Sequence, residues 1–153
     1  GPMVLVFYRG GWRPYCNLEL RAWQLLLPTL ANLGASLVAV SPQSPDKSLS
    51  IAEKNELSYP VLSDSSLALA SAFGVAFELP EELVELYGRA GNDLPAINAN
   101  GKRVLPVPAT YVIDRNGRIV FAHIEADYRE RAELADVLNA VAASHETPSD
   151  AGQ

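Results

Sequence analysis

Residues 7–21 read FYRGGWRPYCNLELR, and this stretch indicates how the chain folds. It continues an apolar run, MVLVFY, that begins at Met3 and is typical of a strand buried on both faces of a sheet. The glycine pair at positions 10 and 11 then breaks the pattern as a loop. Apolar residues recur at helical spacing from Pro14 to Leu33, which predicts a helix there. Cys16 therefore lies in the first turn of a long helix that follows a buried strand.

The alternation of strands and helices continues beyond this stretch. Further strands are predicted over residues 35–41, 59–62, 110–114 and 118–122, and further helices over 44 to about 57, 65–73, 80–87 and 129–143. Residues 91–107 are predicted to be rich in loops, with a small hairpin at Asn100-Gly101, while Asn116-Gly117 is a strong signal for a hairpin between the last two strands. Gly88 is expected to close the helix over 80–87.

This order of elements predicts the class of fold. Strands that alternate with helices across short loops indicate parallel pairing and right-handed crossovers. Parallel strands followed by an antiparallel hairpin and a terminal helix predict an α/β protein with a thioredoxin-like fold, its central mixed sheet flanked by helices. We expect one domain over residues 1–143 and a disordered tail over 144–153.

Composition excludes several classes of function. The chain has 153 residues, 48% hydrophobic and 20% charged, as expected of a globular domain. Its net charge of −6 argues against nucleic-acid binding and against adhesion to anionic membranes. The single cysteine excludes an internal disulfide and a Cys-x-x-Cys dithiol, and it suits a reducing compartment, so we expect a cytoplasmic protein. With only two histidines, neither a metal site nor a cofactor is expected.

The position of Cys16 has a chemical consequence. Unpaired N–H groups and the helix dipole stabilise an anion at the start of a helix, so we expect the pKa of this thiol to be lowered. Arg9 and Arg13 lie nearby in sequence and add positive charge. The plain alternative is that a lone cysteine serves only as a small buried hydrophobe.

Four segments together resemble one known family. Residues 7–21 are joined by SPQSPDKSLSIAEKNELSYPVLSD (41–64), AFGV (72–75) and VPATYVIDRNGRIVFAH (107–123). They resemble the peroxiredoxin superfamily of alkyl hydroperoxide reductases and thiol-specific antioxidants, and most of all a bacterial peroxiredoxin-like subfamily. The resemblance extends from Met3 to about Ala143 and implies a thiol peroxidase. Since such proteins carry a preceding segment, we expect that the chain is truncated at its N-terminus.

The resemblance assigns roles to three residues. Cys16 matches the peroxidatic cysteine, and Glu19 matches the acid commonly found three residues later. Pro108, just before the strand TYVID, matches the cis-proline that faces the active site in thioredoxin-like proteins. The plain alternatives are that Glu19 is a first-turn acid that favours the helix dipole and that Pro108 is an ordinary strand-entry proline.

Other positions depart from the family pattern. Arg9 stands where the family has proline, Arg13 where it has threonine, serine or cysteine, and Pro108 where it has its distal arginine. Arg13 either supplies the missing guanidinium, disables the site or lies in solvent. Trp12 is a candidate for substrate recognition, although packing is its more common role.

Two functions of different classes follow. The first is a peroxidase that reduces H2O2 or organic hydroperoxides through Cys16. Its reductant would be an external thiol, either thioredoxin or a low-molecular-weight thiol. A homodimer is a candidate assembly. The second is a degenerate family member without turnover that serves as a redox sensor or a binding module. A dithiol-disulfide oxidoreductase is disfavoured because a second cysteine is missing.

Overall fold

A computed structural model of the chain describes residues 1–91, 104–125 and 134–144. The helices are α1 (Pro14–Asn32), α2 (Pro45–Lys54), α3 (Ala68–Ala72), α4 (Glu81–Arg89) and α5 (Leu134–Ser144). The strands are β1 (Met3–Phe7), β2 (Ser36–Ser41), β3 (Val61–Ser63), β4 (Ala76–Glu78), β5 (Val104–Pro106), β6 (Ala109–Ile113) and β7 (Ile119–Ile124).

A five-stranded mixed sheet forms the centre of the molecule, in the order β3-β2-β1-β6-β7. Strands β1, β2 and β3 pair in parallel, whereas β6 runs antiparallel to β1 and to β7. Phe7 at the end of β1 pairs with Val40 on one side and with Ala109 on the other. The predicted α/β fold with a central mixed sheet is confirmed, as are its parallel first strands.

Alternate residues of β1 supply the two halves of the core, since successive side chains of a strand point to opposite faces. Val4, Val6 and Tyr8, which follows the strand, belong to a cluster that includes Trp23 of α1 and Val137 of α5. Leu5 and Phe7 belong to the opposite cluster, which includes Ala70 of α3 and Tyr111 of β6. Both faces of β1 are therefore covered, as its unbroken apolar run predicts.

The region around β4 and β5 differs from the prediction. These two strands form a separate antiparallel sheet in which Phe77 pairs with Leu105. Residues 104–106 thus form a strand inside the segment predicted to be rich in loops. The sequence did not indicate this strand, because three residues are too few to show the alternating pattern of a strand. The prediction that Gly88 closes α4 is also wrong, because the helix continues through Gly88 to Arg89.

The hairpin at Asn116-Gly117 is confirmed. Gly117 has a φ of 82°, and Asp114 Oδ1 accepts hydrogen bonds from the backbone N–H groups of Asn116 and Arg118, both at 2.9 Å. The predicted hairpin at Asn100-Gly101, the start of the last helix and the tail beyond residue 144 lie outside the described residues. Within the described ranges, no helix is long and apolar enough to cross a membrane.

Candidate active site

Cys16 lies where β1 delivers the chain to α1. The loop at Arg9–Arg13 separates the two elements, and α1 begins at Pro14, so Cys16 occupies its first turn as predicted. The backbone N–H of Cys16 donates to the Arg13 carbonyl at 3.0 Å. The side chain packs in the same buried cluster as Tyr8, Leu20 and Ile51, and only 3% of the residue is exposed.

The expected lowering of the Cys16 pKa is wrong for this buried position. Burial raises the pKa of the thiol above its ordinary value, because desolvation disfavours the thiolate. The charge of Arg13 and hydrogen bonding from the backbone at Arg9 and Gly10 oppose the shift but do not overcome it. Position in the helix and nearby cations were visible in the sequence, whereas the depth of burial was not.

Arg13 is half-buried at the N-cap position of α1. Its side chain does not cap the helix. Its charge instead lowers the pKa of Cys16, so it acts on the thiol rather than only on solvent. The arrangement therefore retains a guanidinium close to the cysteine, although the family places a hydroxyl or thiol at this position.

Arg9 connects the loop between β1 and α1, which we call the active-site loop, to the two-stranded sheet of β4 and β5. Its Nε donates to the Pro106 carbonyl at 3.2 Å and its Nη1 donates to the Tyr87 hydroxyl at 3.1 Å, while the guanidinium carbon lies 5.2 Å from the ring centroid of Phe77. Burial lowers the pKa of Arg9. With these contacts, the side chain joins the end of β1 to β5 and α4.

Trp12 packs against the same region. Its ring meets that of Tyr87 edge to face, with 5.1 Å between the centroids. It also packs against the small cluster formed by Leu79 and Leu105. Its Nε1 is buried and has no hydrogen-bond partner among the described residues. The contacts of Trp12 therefore show that its side chain packs the active-site loop against α4.

Glu19 and Pro108 are both buried. Glu19 follows Cys16 by three residues, on the same helical face, and its charge raises the pKa of Cys16. It lies beyond the first turn of α1, so its interpretation as a helix-dipole acid is wrong. Pro108 precedes β6, and its carbonyl accepts from the Glu125 N–H at 2.8 Å. The expected cis bond at Pro108 is wrong, because no described peptide bond is cis.

Polar residues behind the thiol were missed in the sequence. Tyr8 is 1% exposed, and burial raises its pKa to about 12, with a smaller contribution from the charge of Cys16. Ser41 and Ser48 are buried nearby and oppose this shift. A signal was available, because the carboxyl ends of adjacent parallel strands lie side by side, and Tyr8 and Ser41 occupy those ends of β1 and β2.

Asn17, also missed, holds the loop to the helices. Its Nδ2 donates to the Gly11 carbonyl at 2.7 Å, and its Oδ1 accepts from Asn55 Nδ2 at 3.0 Å. Gln43 Oε1 accepts from the Gly11 N–H at 3.1 Å. The loop is thus bonded to α1 and to the segment after β2, and Asn17 is in turn bonded to the C-cap residue of α2.

The described part of the chain offers no cluster of metal ligands near the thiol. Within residues 1–91, 104–125 and 134–144, no three His, Cys, Asp or Glu side chains are grouped so that they could hold a metal ion. Cys16 itself is a buried thiol on which the charge of Arg13 and the backbone at Arg9 and Gly10 act.

Comparison with known proteins agrees with this geometry. The chain is 36% identical over 75 residues to a Mycobacterium tuberculosis protein whose name assigns it to the peroxiredoxins; these residues are 49% of this chain and 49% of that protein. The chain thus matches about half the length of this relative. Two solved structures are similar over nearly the whole chain. One is a cysteine-to-serine variant of PrxQ from Xylella fastidiosa, with a TM-score of 0.72 and 25% identity, and the match covers 95% of this chain and 78% of that one. The other is the peroxidoxin BcpB from Mycobacterium tuberculosis, with a TM-score of 0.68 and 26% identity, and the match covers 97% of this chain and 80% of that one.

The family assignment follows from a match that covers most of the chain. The model of the AhpC/TSA family matches residues 1–122. These residues include the strand-loop-helix unit around Cys16, all of β6 and the first part of β7. The chain therefore belongs to the AhpC/TSA family of peroxiredoxin-like proteins with a thioredoxin-like fold.

Proposed function

We propose that the protein is a thiol-dependent peroxidase that reduces H2O2 or organic hydroperoxides through Cys16. The observation that carries the proposal is the position of the only thiol of the chain in the first turn of α1, where the charge of Arg13 and the backbone at Arg9 and Gly10 favour the thiolate. These groups favour negative charge at a site from which water is largely excluded. Membership of a thiol peroxidase family supports the same conclusion.

The chemistry begins with the Cys16 thiolate. Its sulfur attacks the distal oxygen of the hydroperoxide, a new S–O bond forms and the O–O bond breaks. The second oxygen leaves as water or as an alcohol after taking up a proton, and Cys16 becomes a sulfenic acid. Arg13 and the helix N–H groups stabilise the negative charge that shifts between sulfur and oxygen.

Regeneration requires a thiol from outside the chain. With Cys16 as the only cysteine, no resolving thiol is available within the chain. Thioredoxin or a low-molecular-weight thiol is the proposed reductant. We further propose a cytoplasmic location, because a single free cysteine suits a reducing compartment, and a homodimer as the candidate assembly. The net charge of −6 disfavours nucleic acid and anionic membranes as partners.

Peroxide treatment followed by mass spectrometry tests this proposal. With a sulfenic-acid trap present, we expect stoichiometric labelling of Cys16 and consumption of one peroxide per chain. Without trap or thiol, excess peroxide should continue to the sulfinic acid, and a small thiol should instead give a mixed disulfide. Cys16→Ser should abolish labelling and consumption. Peroxide consumption that survives this substitution would contradict the mechanism.

A second function is favoured by one observation, the raised pKa of the buried thiol. A thiol that stays protonated at neutral pH reacts slowly, as expected of a redox sensor or a binding module without turnover. The same experiment separates the two functions. Oxidation that is complete within seconds at micromolar peroxide supports the peroxidase, whereas a thiol that remains inert at neutral pH supports the non-turnover protein.

A further inference from the structure

A groove runs between α1 and α2 and ends at the active-site loop. Asn17 and Arg21 line it on α1, Ile51 and Lys54 line it on α2, and Gly11 lines it from the loop. Its larger part has a volume of about 480 Å³ and an adjoining part has about 200 Å³. Sites for small molecules are typically ~300–1,000 Å³, so the groove is large enough for a ligand of that class.

The charge of the groove is opposite to that of the whole chain. Arg21, Lys47 and Lys54 line it, whereas no aspartate or glutamate does. Lys47 and Lys54 are two of the three lysines in a chain whose net charge is −6. A positive groove in an acidic protein selects an anionic ligand.

Gln43 adds a hydrogen-bond donor to this surface. The residue lines the groove and is only 4% exposed. Its Oε1 accepts the Gly11 N–H, which fixes the side chain, and its Nε2 donates to no residue in the described part of the chain. Nε2 is not one of the fully buried polar atoms that lack a partner, so it retains some accessible surface. A carboxylate in the groove would accept a hydrogen bond from it.

Three of the residues that line the groove are neighbours of Cys16 in sequence or in packing. Asn17 follows it in the chain, and Ile51 packs in the same buried cluster. Gly11 follows Gly10, whose backbone interacts with the thiol. The groove is therefore lined by immediate neighbours of Cys16, although Cys16 itself does not line it.

We propose that this groove binds the reductant and that the reductant is an anionic low-molecular-weight thiol. The proposal rests on the proposed peroxidase function. The ligand thiolate attacks Sγ of the Cys16 sulfenic acid, an S–S bond forms and the S–O bond breaks. The departing hydroxide takes up a proton and leaves as water. A second thiolate then attacks the ligand sulfur of this mixed disulfide, and Cys16 leaves as a thiolate that is reprotonated.

The buried Sγ must become accessible for this reaction. The turn that carries it has no side-chain cap from Arg13 and no acidic residue to favour the helix dipole. Both features make the first turn of a helix easier to open. The proposed reaction requires that opening of this turn exposes Sγ to a ligand whose carboxylates lie on Lys54 and Arg21.

A series of thiols of different charge tests the proposal. Stopped-flow rates for reduction of the Cys16 sulfenic acid are measured with mercaptosuccinate, 2-mercaptoethanol and cysteamine at equal thiolate concentrations. We expect the rates to decrease in that order, and the advantage of mercaptosuccinate to shrink as salt shortens the Debye length below ~10 Å. In Lys54→Gln and Arg21→Gln, the ratio of the mercaptosuccinate rate to the mercaptoethanol rate should fall about two- to fivefold each.

Arg89→Gln is the matched control, since Arg89 is an exposed cation on α4 and outside the groove. Its rate ratio should equal that of the wild type. Comparing two thiols within one variant cancels any general change in the reactivity of Cys16. Equal rates for the three thiols, or a ratio that falls as much in Arg89→Gln as in Lys54→Gln, would overturn the proposal even in an active peroxidase.

A binding measurement separates this proposal from the peroxidase function. Amide NMR spectra of Cys16→Ser are recorded during titration with mercaptosuccinate, which needs no redox step. Shifts centred on Gly11, Asn17 and Lys54, weakened in Lys54→Gln, support the groove even if peroxide fails to oxidise Cys16. No binding at millimolar ligand, or shifts centred elsewhere, would overturn it.

Discussion

Two opposing electrostatic effects act on Cys16. Desolvation favours the neutral thiol, while Arg13 and the neighbouring backbone favour the thiolate. Desolvation is the larger effect, so the cysteine is held as a thiol in the folded protein. The reactive anion must therefore form against the cost of burial, and the balance depends on individual neighbours that can be replaced.

The raised pKa makes stability depend on pH. Above the ordinary thiol pKa of ~8.5, the unfolded chain releases the proton while the folded chain retains it, so the free energy of unfolding falls as pH rises. The slope is at most ~1.4 kcal/mol per pH unit for one group. Urea unfolding between pH 8 and 10 should show this loss in the wild type and a flatter profile in Cys16→Ser. Identical profiles would contradict the raised pKa.

Arg13→Met should raise the pKa of Cys16 further. The substitution keeps a long side chain but removes the charge that favours the thiolate. Alkylation by iodoacetamide should become severalfold slower at pH 8, and the midpoint of its pH profile should move upwards. Arg89→Met is the control, because Arg89 has no influence on the thiol. An unchanged midpoint in Arg13→Met would show that this guanidinium does not act on Cys16.

At the scale of elements, the active-site loop fits tightly between its neighbours. A side chain at Gly11 would collide with Ile51, and one at Gly10 would collide with the indole of Trp12. Asn17 and Gln43 then bond the loop to the surrounding elements. The glycine pair is thus required by close packing, in addition to its role as a break between strand and helix.

Gly11→Ala tests this packing. The added methyl group should destabilise the fold by about 1–3 kcal/mol, because Ile51 must move to admit it. Gly88→Ala is the matched control, since Gly88 lies within α4 and its added methyl group would meet nothing within 4 Å. That variant should gain up to about 1 kcal/mol from helix propensity. Chemical denaturation measures both changes. Similar effects in the two variants would refute the packing argument.

Predictability from the sequence differed between elements for physical reasons. The long apolar runs of β1 and β2 and the Asn116-Gly117 turn are encoded locally, so their type and pairing were predicted correctly. Residues 76–78 and 104–106 pair across a long interval and carry no period of their own, so this small sheet was missed. For the site, local pattern located Cys16 in the first turn of α1, but its burial depends on Tyr8, Ile51 and other residues distant in sequence.

At the scale of the whole molecule, stability is unevenly distributed. Strand β1 is paired on both sides and covered on both faces. Helix α4 contains no buried residue and contacts the rest of the protein chiefly through Leu83, Val84 and Tyr87. The part of the molecule that packs on Trp12 and Arg9 is therefore its less firmly held part.

Native-state hydrogen exchange should reveal this difference. Amides of α4 should exchange through local opening, whereas those of β1 should exchange only through global unfolding. Tyr87→Phe removes the hydrogen bond from Arg9 and should lower the protection of α4 while leaving that of β1 nearly unchanged. Equal protection of α4 and β1 would contradict the expected distribution.

The two tryptophans occupy environments that suit them as separate optical reporters. Trp23 is 1% exposed and belongs to the same buried cluster as Cys16, so its emission should respond to oxidation of the sulfur as well as to unfolding. Trp12 is half-buried, meets Tyr87 edge to face and packs with Leu79 and Leu105. Its fluorescence should report movement of the active-site loop on α4. With Trp12 replaced by Phe, the remaining indole would follow the state of the sulfur in real time without any attached dye.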